Sequence, residues 1–114
     1  MNIEWVRRYC MSLPQAAETV QWNSLVFKIA GKIFAILALE PANTWLSLKC
    51  TPAEFADLTE RPGIIQAPYL ARNQWVALET EDALTPAEIK RLLRGSYTLV
   101  VEKLPKKTRA ALLR

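Results

Sequence analysis

Seven cations fall within twenty residues near the end of this chain: Lys90, Arg91, Arg94, Lys103, Lys106, Lys107 and Arg109. A helix dipole explains Lys103 but not this density. Such clusters are the electrostatic footprint of anion binding, and also an ordinary solubilising device. Lys90, Arg91 and Arg94, at i, i+1 and i+4, share one helical face. A second group is Arg72-Asn73-Gln74. Arg can bond guanine in bidentate fashion, and Asn or Gln can do so with adenine, although a plain polar turn is the commoner meaning of such a run. Lys28 and Lys32 flank Gly31, where Lys32 would meet a phosphate as a point charge or simply keep a hairpin end solvated.

Other chemistries are poorly supplied. There is no histidine, which removes the commonest general base and zinc ligand and every Ser-His or Cys-His pair. Cys10 and Cys50 are far apart and lack metal-ligand spacing; either a disulfide or, more in keeping with a reducing cytosol, two buried free thiols would account for them. Glu54 and Glu88 each close a TPAE tetrapeptide, at 51–54 and 85–88, and stand third after its Thr cap. There they serve as capping-box residues rather than as an acid/base pair. None of the three glycines fits a phosphate-binding loop. The expectation is a protein with no catalytic residues, no metal and no cofactor.

The net charge of +4 is uneven: +2 over residues 1–38, −4 over 39–83 and +6 over 84–114. This asymmetry favours an anionic partner. The first ten residues, MNIEWVRRYC, lack the apolar core of a secretion signal, and the longest apolar run, IFAILAL at 33–39, is too short to span a bilayer. A soluble cytoplasmic protein without a membrane partner is expected, folded as a single domain over 1–114. The oligomeric state is left open.

The elements that must position these groups follow from periodicity. Ile3, Val6, Cys10 and Leu13 make one apolar stripe, capped by Asn2 and ended by Pro14. LVFKIAGKIFAIL at 25–37 reads as a hairpin turning at Ala30-Gly31-Lys32, its second strand central in a sheet. An extra strand near 17–22 is possible on pattern. WLSLKC at 45–50 alternates, with Leu46, Leu48 and Cys50 on one face and Trp45, Ser47 and Lys49 on the other. Each TPAE starts a helix, the first ending at Pro62-Gly63. WVALE at 75–79 is a strand behind the polar tip of a second arm. The last long helix carries Ile89, Leu92, Leu93, Val100, Val101 and Leu104 on one face. Gly95 and Ser96 interrupt it, so a kink or a close contact is expected there. Pro105 begins a short final helix. The predicted order is α-β-β-β-α-β-α-α.

LVFKIAGKIFAIL, LSLKC before a helix start, PGIIQAPYLARNQWVALE and SYTLVVEKLPKK occur in this order. Together they resemble the MmcQ/YjbR family over most of the chain. The resemblance implies a CyaY-like, double-wing two-layer sandwich of class α+β, with an antiparallel sheet, helices packed on one face and β-arms beside them. It also implies a DNA-binding role without known enzymatic activity, a role inherited from fold analogy. Relatives often carry two or three basic residues or a histidine before the Trp of the second arm. Here only Arg72 is charged, so that arm should attract phosphate less. Gly95 stands where relatives usually have a polar helix former. A frataxin-type iron role would need an acidic ridge, and only the middle third of this chain is acidic.

The residues and the resemblance together predict a binder of duplex DNA. It would hold phosphates with the basic C-terminal segment and add contacts from two arms, one with Lys28 and Lys32, the other with Arg72, Asn73 and Gln74. The rival expectation is a protein partner docked on an exposed aromatic patch of Trp5, Trp22, Trp45, Tyr69 and Trp75.

Overall fold

The computed structural model describes residues 3–40, 42–67 and 74–112. Among these, four helices and six strands form an α+β fold in the order α1 (Glu4–Ser12), β1 (Ala17–Gln21), β2 (Ser24–Ile29), β3 (Lys32–Ala38), β4 (Leu46–Lys49), α2 (Pro52–Leu58), β5 (Ile64–Gln66), β6 (Trp75–Leu78), α3 (Pro86–Glu102) and α4 (Lys106–Leu112). The strands make one antiparallel sheet in the order β1-β2-β3-β4-β6-β5. The extra strand at 17–21 exists, and the second arm is the hairpin β5–β6. No helix among the described residues is long and apolar enough to cross a membrane.

Local chemistry accounts for most of these boundaries. Thr51 Oγ1 accepts from the Glu54 amide at 3.1 Å while Glu54 Oε1 accepts from the Thr51 amide at 3.0 Å. Thr85 and Glu88 repeat the exchange, so both TPAE segments are full capping boxes with Pro at the first turn. The first of the two helices ends at Leu58, four residues before Pro62-Gly63, where the Thr59 hydroxyl donates to the Phe55 carbonyl at 2.7 Å. α1 starts with Ile3 in the cap position, which has no side-chain acceptor to offer; the expected cap, Asn2, lies outside the described residues. The β2–β3 turn is Ala30-Gly31 alone, both left-handed (φ 51° and 79°), and Lys32 already belongs to the strand.

The helices cover one face. Val6 and Cys10 of α1 and Ile89, Leu92, Leu93 and Val100 of α3 pack with Leu25, Phe27, Leu37, Leu46 and Leu48 of the sheet. Each such burial stabilises by about 1.5–3 kcal/mol before entropy is counted. A smaller cluster, Trp75, Ala77 and Ala67 with Ile33 and Ile36, forms on the other side. Both cysteines are free and buried. Burial pushes the Cys10 thiol up to about 12 and the Cys50 thiol up to about 11.

Two irregularities shape the end of the sheet nearest Lys32. Phe27 pairs with Ala35 but Lys28 pairs with Ile33, so Phe34 is an extra residue, a β-bulge. Phe34 and Ala35 both join the helix-side core, with the Phe34 ring edge-on to Tyr97 at 5.5 Å. The β3–β4 ladder also stops at Ala35 and Leu48. Phe34 and Lys49 would be the next pair, but Ser96 of α3 stands between them. Its hydroxyl donates to the Phe34 carbonyl at 2.6 Å and accepts from the Lys49 amide at 2.9 Å. Ser96 is fully buried, and it satisfies two main-chain groups that the splayed strands leave without each other. Gly95, by contrast, makes no close contact: a Cβ there would meet nothing within 4 Å. α3 runs through both residues without a break.

Candidate anion-binding site

The splay between β3 and β4 opens a slot of about 310 Å³. Lys32 and Ile33 enter it from the start of β3, Lys49 from the end of β4 and Trp75 from the start of β6. The far end of α3 closes it with Val100, Lys103, Leu104 and Pro105. Three lysine side chains thus line one slot with an apolar floor, and among the described residues no carboxylate lines the slot or forms an ion pair with any of the three. Burial pushes the Lys49 ammonium below its ordinary range, and the neighbouring positive charge of Lys103 pushes it further. Like charges held together without a counter-ion raise the free energy of the empty site and are relieved by an incoming anion.

The other sequence-predicted cations are distributed differently. Lys90 lies over the rings of Trp5 and Tyr9, 5.9 and 6.0 Å from their centroids. Arg91 faces Glu54 at 3.6 Å. Arg94 shares a groove beside α3 with Glu54 and Glu102. Each helical residue turns about 100°, so Lys90, Arg91 and Arg94 point away from the sheet while Lys103 returns to its side. The cluster 90–109 is thus not one continuous face. Lys106 and Lys107 are exposed in the first turn of α4, directly after the slot-lining Pro105, whereas Arg109 is half-buried, its Nε without an acceptor among the described residues.

The two predicted arms fare unequally. Lys32 turns into the slot, and Lys28 lies half-buried on the sheet opposite Ala17 and Ile33. Arg72 and Asn73 lie outside the described residues. Gln74 is left-handed (φ 57°), and its carbonyl accepts from the Cys50 amide at 2.9 Å and the Cys50 thiol at 3.4 Å. The main chain of Gln74 therefore fastens the end of β6, a structural role.

The predicted aromatic patch is not assembled among the described residues. Trp45 is 3% exposed and Trp75 6%, because each fills a core. Trp45 precedes β4 and joins the helix-side cluster, contrary to simple alternation, while Trp75 belongs to the cluster on the other face. Trp5 is half-buried, Tyr69 lies outside the described residues, and Trp22 alone projects, 71% exposed. Sequence reading missed Lys49 and Ser96 as site residues. Ser96 carried a signal, a lone hydroxyl on the apolar stripe between Leu92 and Val100; Lys49 carried none beyond its place at a strand end.

The YjbR family model matches residues 11–99. The chain belongs to the YjbR family. The crystal structure of protein DR2400 of Deinococcus radiodurans, which carries a DUF419 family domain, is 28% identical over 97% of this chain and 87% of that one, with a TM-score of 0.86. A protein from Pseudomonas syringae shares the fold at 23% identity and a TM-score of 0.72, over 87% of this chain and 98% of that one. No functionally curated protein matches. The expected α+β fold of the YjbR family is therefore the observed one.

Proposed function

We propose that this YjbR domain is a non-enzymatic cytoplasmic binder of duplex DNA that seats backbone phosphate at the slot between β3 and β4, not on the outer face of α3. The observation that carries the reading is that Lys32, Lys49 and Lys103 line one slot while, among the described residues, no carboxylate does. Lys106 and Lys107 continue the positive surface onto α4. The outer cations of α3 contribute less, since an aromatic pair and Glu54 already engage Lys90 and Arg91. Nothing in this arrangement reads bases, so binding is expected to be insensitive to DNA sequence.

Fluorescence anisotropy of a labelled duplex against salt tests this. Five lysines neutralising phosphates give a slope of log affinity on log salt of about −4.5. Lys32→Gln with Lys103→Gln should reduce it to about −2.7, whereas Lys90→Gln with Arg91→Gln should leave it unchanged. Absence of binding near about 50 mM salt, where phosphate contacts are strong, would sink the reading.

A second reading, a protein partner, is favoured by one observation. Trp22 and Val20, 71% and 67% exposed, stand close together on β1 and its turn, at an edge of the sheet. Concentration-dependent self-association by sedimentation, lost in Trp22→Ser, would support it; a monomer at every concentration would count against pairing of two copies there.

A further inference from the structure

Phosphate binding uses Lys49 only as a charge, but its surroundings suit a primary amine that reacts. Two ammonium ions cannot hydrogen-bond to one another, since neither has an acceptor. Lys49 and Lys103 line the same slot and repel one another as ammonium ions, a repulsion relieved when one of them is the free base. Lys49 is the one so placed: it is half-buried, whereas Lys32 and Lys103 are exposed. Its main chain is held by Ser96 on one side and paired with Trp75 on the other, so the side chain starts from a fixed point. The floor is apolar, formed by Ile33, Val100 and Leu104 with Trp75. A desolvated lysine beside a second cation is a recognised way to make a nucleophilic amine near neutral pH. Burial and Lys103 both act on Lys49 in that direction.

We propose that the slot captures a small anionic carbonyl compound, an aldehyde or ketone bearing a phosphate or carboxylate, as an imine on Lys49 Nζ, with Lys32 and Lys103 seating the anionic group. The seat rests on the anion-binding reading above; the covalent step goes beyond it. The Lys49 lone pair attacks the carbonyl carbon, and the electron pair of the C=O bond moves to oxygen. Lys103 delivers a first proton to that oxygen and takes one from the Lys49 nitrogen in return, giving the carbinolamine. A second proton passed from nitrogen to oxygen through Lys103 in the same way lets the oxygen leave as water while the C=N bond forms. One amine and one carbonyl become one imine and one water, with no oxidant or reductant. The apolar floor favours the product by limiting the water that would reverse the step.

The test uses the full chain with pyridoxal 5′-phosphate, an aldehyde carrying a phosphate, followed by borohydride reduction and peptide mass mapping. Lys49 should be labelled first, about tenfold faster than Lys28 or Lys90, as a desolvated amine beside a second cation is the readier nucleophile. Pyridoxal without the phosphate should lose most of that preference. Lys49→Arg keeps the charge and removes the primary amine. It should lose the fast adduct, retain labelling of the other lysines and melt at the wild-type temperature. Label spread evenly over the exposed lysines, or no slower with pyridoxal, would overturn the proposal. The salt titration on the same samples keeps the two readings apart: even labelling beside a slot-dependent slope removes the imine and leaves phosphate binding in place. Selective labelling beside a flat slope keeps the imine on a small anion and removes DNA.

Discussion

Lys90 and Lys103 belong to one helical segment, about 20 Å apart along its axis, and they meet opposite surroundings. At the Lys90 end, cations are already answered. Lys90 rests on two rings, Arg91 faces Glu54, and nearby Arg61 sits between Asp57 at 3.3 Å and Glu88 at 3.0 Å. At the Lys103 end, Lys32, Lys49 and Lys103 line one slot, and among the described residues no carboxylate lines it with them. Residue type is the same at both ends; what differs is whether the neighbouring element brings a partner. A count of basic residues measures long-range attraction, while the unanswered ones mark where an anion gains most.

The largest expected effect on this contrast comes from the wedge that opens the slot. Ser96→Ala strands the buried Phe34 carbonyl and Lys49 amide and should cost about 2 kcal/mol, seen as a fall of roughly 10 °C in Tm. An unchanged Tm would mean the strands close without the hydroxyl. One residue earlier the sign reverses. Gly95→Ala has open space for its methyl and should stabilise by about 0.5–1 kcal/mol in urea melts, as expected for Gly in a helix interior; destabilisation would reveal a contact not visible here.

Glu54→Gln sharpens the contrast from the other end. It keeps an oxygen for the Thr51 amide but removes the charge facing Arg91. If the domain binds DNA as proposed, Arg91 should then add a phosphate contact, steepening the salt slope by about one unit. If the slope does not move, the outer face of α3 is off the DNA for geometric reasons.

The smallest effect is a pH dependence. Lys49 titrates below its ordinary 10.5 in the folded chain, so between its folded value and 10.5 the unfolded chain binds more protons and stability rises with pH. Below that window both states are charged and the repulsion from Lys103 is felt in full. Urea melts of wild type and Lys49→Gln between neutral and alkaline pH should therefore draw together as the wild type gains. The buried thiols, protonated in both folded proteins, contribute equally and cancel. Parallel curves would place Lys49 in ordinary solvent.

Much of the scaffold was legible before any coordinates. The two TPAE starts, the Gly31 hairpin, the alternation of β4 and the apolar face of α3 depend on hydrogen bonds and side-chain periods that act within a few residues. Trp45 and Trp75 were harder, because a large amphipathic ring can fill a core or ride its rim, and only the packed layers decide.

The amino-acid order by itself determined where helices begin, where the chain turns and how much positive charge the last third carries. Tertiary structure alone decided that Phe34 bulges, that Ser96 parts two strands, and that Lys32, Lys49 and Lys103 share one slot while Lys90 and Arg91 are engaged elsewhere. The reason is range. Capping and periodicity are settled by neighbours in sequence, but the free energy of a charge is set by whatever packing brings within a few ångströms, and those neighbours come from distant parts of the chain.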